Sequence, residues 1–182
     1  IATGGTGGHV FPAYSLAKYF IKNKKSVEII TDKRGFKFLR NYEDIRLKII
    51  NSATIFKKNP IGIIISLIQI KFFFINSLIF LIKSKPRIVF GMGGYSSFPI
   101  CIAAKLLKIP FIIYENNLVI GKANRFLLPF SNKIFVSYAQ VEGIKQKHQD
   151  KKIEIGNIIR EEVINFNKNT HLSNQKEISI LI

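Results

Sequence analysis

Four short segments carry the residue types that could do chemistry, and each follows a β-branched or apolar run. The first is TGGTGGHVFP, Thr3 to Pro12. Its glycines strip side chains from a turn, so the backbone can approach a ligand closely. Pro12 is read as the first residue of a helix, where its missing N–H costs nothing. The N–H groups of Gly7, Gly8 and His9 would then face an anion, helped by the helix dipole. No Gly-Lys-Ser/Thr follows, so this is not a P-loop, and Val10 stands where a dinucleotide fingerprint has its third glycine. Asp32, after the next apolar run, occupies the place of a ribose-binding acid but reads as a turn residue beside Lys33, Arg34 and Gly35.

The second segment is FGMGGYSSFP, Phe90 to Pro99. Phe11, Pro12, Ala17 and Lys18 recur at the same mutual spacing as Phe98, Pro99, Ala104 and Lys105. Two matched glycine turns on one sheet would make a cleft lined with N–H groups, suited to a pyrophosphate or sugar phosphate. The third is YENN, Tyr114 to Asn117, in which Glu115 is an acid/base or hydroxyl acceptor and Asn117 a sugar ligand, unless the pair only forms an Asx turn. The fourth is EIGNIIREE, Glu154 to Glu162, whose Arg160 could reach a phosphate or only pair with its acidic neighbours.

Positioning these segments requires an alternation of strands and helices. Val27–Thr31, Arg87–Phe90, Phe111–Tyr114, Lys133–Tyr138 and Lys152–Ile155 read as strands, with Ile1 and Ala2 the tail of another. Ala13, Leu16, Ala17, Phe20 and Ile21 make one helical face; Gly35–Tyr42, Ser97–Lys108 and Lys122–Leu128 are further helices. The fold class expected is α/β, a Rossmann-like, doubly wound parallel sheet with ligands at the carboxyl ends of its strands. Ile61–Ile82 is long enough to span a bilayer, but Gln69, Lys71 and Asn76 interrupt it. A spanning helix would also put the two glycine turns on opposite sides of the membrane. It is therefore read as a crossover helix on the sheet. Its surplus apolar surface, with Lys57, Lys58 and Lys71 nearby, is either core or a dock for an anionic membrane.

The formal net charge of +17 suits an anionic partner, although a composition crowded with Lys, Ile, Asn and Phe leaves much of it as solvated surface. No zinc-finger or RRM pattern accompanies the charge, so nucleic acid is not the expected partner. The single cysteine, Cys101, excludes an internal disulfide framework and reads as a small core residue. His9, His148 and His171 are scattered, so no metal site is expected. The chain opens on Ile1 rather than Met and closes on the apolar run Ile178–Ile182, which reads as a cut inside a strand at each end. Residues 1–164 are expected to form one domain, 165–177 a polar linker and 178–182 the first strand of a second domain.

Taken in order, GGTGGHVFP, GMGGYSSFP, ENN and GNIIR resemble the N-terminal domain of the MurG family of glycosyltransferases, across essentially the whole chain. The resemblance implies GT-B architecture: two Rossmann-like domains facing across a cleft. It implies inverting transfer of N-acetylglucosamine from UDP-GlcNAc to lipid I, undecaprenyl-pyrophosphoryl-MurNAc-pentapeptide, giving lipid II for peptidoglycan, with no cofactor. It also implies peripheral attachment to the cytoplasmic face of the bacterial inner membrane through an apolar, basic-rimmed patch. By the family pattern, Thr6, Gly7, Gly8, Asn117 and Arg160 contact the donor UDP-GlcNAc. Gly5, His9, Gly93, Gly94 and Tyr95 meet the acceptor's diphosphate. His9 is the candidate base or a hydrogen-bonding ligand, and Glu115 the alternative base. The family's usual His-Glu-Gln-Asn stands here as Tyr114, Glu115, Asn116 and Asn117. Two other classes compete: a non-catalytic, membrane-docking subunit of a split glycosyltransferase, and a nicotinamide-dependent oxidoreductase that would need Asp32.

Overall fold

The computed structural model describes residues 1–42, 44–50 and 60–169, without the side chains of 60–70 and 166–169. The element order is α1 (Gly7–Lys22), β1 (Glu28–Thr31), α2 (Lys33–Leu39), β2 (Arg46–Ile49), α3 (Pro60–Ser84), β3 (Val89–Gly91), α4 (Ser97–Leu106), β4 (Phe111–Glu115), α5 (Lys122–Leu127), β5 (Lys133–Val136), a 3-10 turn (Gln146–Lys151), β6 (Lys152–Glu154) and α6 (Glu161–Asn169). Every strand pairing is parallel. Ala2 bridges Ile30 on one side and Gly91 on the other. The sheet order is therefore β2-β1-Ala2-β3-β4-β5-β6. The chain winds outward from Ala2 to β2, then α3 carries it back across to β3. The direction of winding reverses between Ala2 and β3, and that reversal opens a crevice at the strands' carboxyl ends.

The central strands bury side chains on both faces, as a sheet covered by helices on two sides requires. Ile29, Ile113, Ile134 and Val136 have no exposed surface. β2, with the sequence RLKI, is an edge strand whose side chains are mostly exposed. Its cations Arg46 and Lys48 guard the edge, and with Leu47 only partly buried and Ile49 exposed the short run hides from a reading based on hydrophobicity, which assigned no strand there. α1 buries Val10, Ala13, Tyr14 and Ala17, while Ile21 of the expected face is exposed. α3 is the crossover helix expected, and its Leu81 is buried against the cluster that includes Ile100, Ala103 and Ala104. Of the expected linker, Asn165–Asn169 continue α6; the remainder and the strand at 178–182 lie outside the described residues, as do Lys57 and Lys58.

Cys101 is fully buried on α4, and burial pushes its thiol up to about 12. At pH 8 it should resist iodoacetamide in the native protein and react as urea unfolds it. Peptide mapping of the alkylated residue checks this.

Candidate active-site cleft

The cleft is built where the two glycine turns touch. Gly93 and Gly94 adopt left-handed backbone, with φ of 89° and 76°. A Cβ at Gly94 would stand 2.7 Å from the carbonyl oxygen of Gly4, and one at Gly93 would stand 2.7 Å from His9 Nδ1. Any side chain at either position would force the turns apart, besides straining the backbone. The expected shared cleft is thus a direct backbone contact with the His9 ring laid across it.

The helix begins earlier than expected. Gly7 is its first residue, so Pro12 lies inside α1 rather than at its start. The absent N–H at Pro12 would have bonded the carbonyl four residues back, that of Gly8. Asn116 Nδ2 donates to that carbonyl instead, at 3.1 Å. The proline therefore creates the acceptor that fastens the third motif to the first. In α4 Pro99 is the third residue, inside the turn whose N–H groups lack partners anyway. The two motifs share a spelling but use proline differently.

The anion-facing groups are correspondingly fewer. His9 N–H donates to the Thr6 carbonyl at 3.1 Å, and Gly5 N–H to Asp32 Oδ1 at 3.1 Å. The expectation that both backbone groups greet the anion is corrected. Gly7 and Gly8 remain as the first helical N–H groups, and the side chain of Thr6 does not cap them. Asp32 is buried and also accepts from Gly35 N–H at 2.8 Å and from Arg34 at 3.0 Å. It clamps the first turn to α2, which leaves a ribose little to bind and removes the basis for a nicotinamide site.

Glu115 is also committed. Its Oε1 accepts from Asn117 N–H and Nδ2 at 3.1 and 2.7 Å, and its Oε2 from Gly121 N–H and Asn124 Nδ2 at 2.8 and 3.0 Å. With both oxygens of this buried carboxylate held by four donors, Glu115 organises the loop rather than standing open as the alternative base. Because both nitrogens of Asn117 turn toward Glu115, the amide oxygen is the group this exposed side chain offers to a ligand. Asn124, buried behind Glu115, was not singled out from sequence; a lone Asn in a short helix carries no signal there.

Arg160 reaches the same cleft from the far end of the chain. Its guanidinium lies 4.2 Å from the Phe11 ring centre, and that ring abuts Gly7. Tyr95 lies half-buried beside the second turn. The structure thus joins the Thr6–His9 turn to Gly93 and Gly94 through the His9 ring, to the Asn116–Asn117 pair through the Gly8 carbonyl, and to Arg160 through Phe11. Such a set can hold a diphosphate, accept from a sugar hydroxyl and offer an imidazole.

Comparison with known proteins bears on the family and the fold. The glycosyltransferase family 28 N-terminal domain matches residues 1–136. The chain belongs to glycosyltransferase family 28. It is 34% identical over its whole length to the UDP-N-acetylglucosamine--N-acetylmuramyl-(pentapeptide) pyrophosphoryl-undecaprenol N-acetylglucosamine transferase of Pelagibacter ubique, covering 50% of that protein. The transferase of the same name from Rickettsia conorii is 31% identical over 163 residues, 90% of the chain and 42% of that protein. The chain spans about half the length of the curated relatives it matches. The fold is shared with Acinetobacter baumannii MurG, at TM-score 0.69 and 24% identity over 84% of the chain and 43% of that structure. It is also shared with UDP-GlcNAc 2-epimerase from Neisseria meningitidis, at TM-score 0.61 and 17% identity over 92% of the chain and 49% of that one. The family 28 fold here is the Rossmann-like N-terminal domain of the GT-B architecture.

His9 is the titratable group at the centre of this family 28 cleft. Burial holds its pKa below 6.5, against the opposing pull of the Glu115 charge. The unfolded chain therefore takes up the proton first. Stability should fall as pH drops below 6.5 and level off once the folded imidazole titrates. Urea midpoints between pH 7 and 5 should decline more steeply for the wild type than for His9→Gln.

Proposed function

We propose that this chain is the acceptor-binding half of an inverting N-acetylglucosaminyltransferase that converts lipid I to lipid II. Residues 1–164 form that half, and the segment beyond leads into a second, UDP-sugar-binding domain. The observation that carries the reading is the meeting of the two glycine turns at His9, with Asn116 bonded to the Gly8 carbonyl and Arg160 held over Phe11 beside Gly7. The names of the relatives supply the substrate class.

In this reading the UDP-GlcNAc diphosphate lies against the Gly7 and Gly8 N–H groups and Thr6, balanced by Arg160. The Asn117 amide oxygen accepts from a sugar hydroxyl. The lipid-linked diphosphate lies along Gly93, Gly94 and Tyr95. His9 takes the proton from the 4-hydroxyl of MurNAc as that oxygen attacks the anomeric carbon and UDP leaves. Its lowered pKa supports the role, because the imidazole is neutral at pH 7. Glu115, with both oxygens occupied, leaves the role to His9.

The full-length protein should transfer GlcNAc from UDP-GlcNAc to lipid I, and His9→Ala should lower kcat by about 10²- to 10⁴-fold. A radiolabelled-donor assay measures both. Transfer by residues 1–164 alone would contradict the division of labour, and an effect of His9→Ala confined to KM would make His9 a ligand instead.

We further propose peripheral attachment to the cytoplasmic face of the bacterial inner membrane. Among the described residues no helix is long and apolar enough to cross a membrane. The outer face of α3 nevertheless exposes Phe72, Ile75, Ile79 and Ile82, spaced along one stripe and flanked by exposed Lys71 and Lys83. Aliphatic surface with a basic rim is what an anionic bilayer surface binds. The full-length protein should float with liposomes containing anionic lipid at low salt, and Ile75→Ser with Ile79→Ser should weaken this. Failure of the wild type to float would dismiss the attachment.

A further inference from the structure

One buried hydroxyl lies outside the chemistry above yet touches the segment that delivers Arg160. Tyr114 is the fourth residue of β4 and is buried, its ring among Ala13, Met92 and Ile158. Its Oη lies 2.8 Å from Ser137 Oγ at the end of β5. It accepts from Ile158 N–H at 3.1 Å and lies 3.4 Å from the carbonyl oxygen of Gly156. The hydrogen bonds tying Gly156 and Ile158 to the sheet thus end on one oxygen.

That segment needs a tie. After Ile155 N–H bonds the Val136 carbonyl, the chain leaves β6 and turns at Gly156 with φ of 76°. Two residues past Ile158, Arg160 opens α6, its carbonyl accepting from Val163 and Ile164. Between those anchors the segment is held to one path by the packing of Ile158 on the Ala13–Met92 cluster and by the Tyr114 hydroxyl. The path it takes lays the Arg160 guanidinium on Phe11, whose ring abuts Gly7.

We propose that Tyr114 is a positioning residue: its hydroxyl fixes residues 156–160 so that Arg160 is held over Phe11 at the first glycine turn, and so sets affinity for the diphosphate of the nucleotide sugar. The inference rests on the reading of Arg160 as a donor contact. Residue 115, next along the strand, orients Asn117 in the same way. Two consecutive residues of β4, facing opposite sides of the sheet, thereby hold two of the segments read as donor contacts.

The test uses the full-length protein with UDP-GlcNAc and lipid I. Tyr114→Phe keeps the ring and removes the hydroxyl. It should raise KM for UDP-GlcNAc about three- to tenfold, the effect of one lost hydrogen bond, with kcat within about twofold. Placed on Arg160→Ala, it should add almost nothing further to KM, because the group it positions is gone. Hydrogen exchange should quicken in residues 156–160 and not in β4 or β5. An unchanged KM in Tyr114→Phe, an equal rise with and without Arg160, or unchanged exchange at 156–160 would each overturn the proposal. If Arg160→Ala raises KM while Tyr114→Phe does not, only this inference fails. If the wild type transfers no GlcNAc, the functional reading fails and takes this one with it.

Discussion

The cleft depends on how closely two turns of backbone can approach. The turn after Ala2 and the turn after β3 come from neighbouring strands of one parallel sheet, on either side of the point where its winding reverses. Parallel strands aim their following turns the same way, so the sheet already brings the two together. What remains is steric. With a Cβ at Gly94 lodged against the Gly4 carbonyl, the turns would separate and the His9 ring would lose its bed. Ser96 makes the same demand from the other side, since a Cβ at Gly4 would collide with its side chain. The motif glycines answer one another across the sheet.

Around that contact stands a set of polar groups engaged with the protein itself. Asp32 holds Gly5 and α2, Glu115 holds Asn117 and Gly121, and Asn116 takes the carbonyl that Pro12 leaves open. Each satisfies backbone groups that would otherwise be buried unpaired. On the proposed reading, their common effect is to leave the Gly7 and Gly8 N–H groups, the Asn117 amide oxygen and the Arg160 guanidinium for the donor. Selection by prior engagement makes a site specific, because what is already bonded cannot adapt to a wrong partner.

Much of this was legible in the sequence. The alternation of apolar runs and helical faces identified the parallel sheet, and the two glycine segments identified the cleft, because φ, steric room and strand ends all leave marks in residue type. β2 was not legible, since RLKI on an edge buries almost nothing. The start of α1 was misplaced because Pro normally marks a first turn; here its missing donor is answered from 104 residues further along the chain, by Asn116. Asp32 is the turn residue its setting suggests, but how fully its oxygens and those of Glu115 are engaged was not legible, for a related reason. A carboxylate's spelling is the same whether its oxygens are open or saturated, and only the fold brings the donors to it.

The position of His9 reconciles two demands that pull against each other. An imidazole serving as base for an inverting transfer must be neutral at pH 7, yet the proposed site gathers diphosphates, whose charge raises the pKa of any nearby imidazole. Burial between the turns pulls the other way, and in this fold it prevails over the Glu115 charge. On the proposed reading, the added negative charge of substrate is met first by the helical N–H groups and by Arg160, so less of it reaches the ring. Holding Arg160 in place therefore serves the imidazole as well as the diphosphate. A guanidinium that drifted from Phe11 would weaken donor binding and leave His9 more exposed to substrate charge, more readily protonated and less able to accept the proton of the attacking hydroxyl.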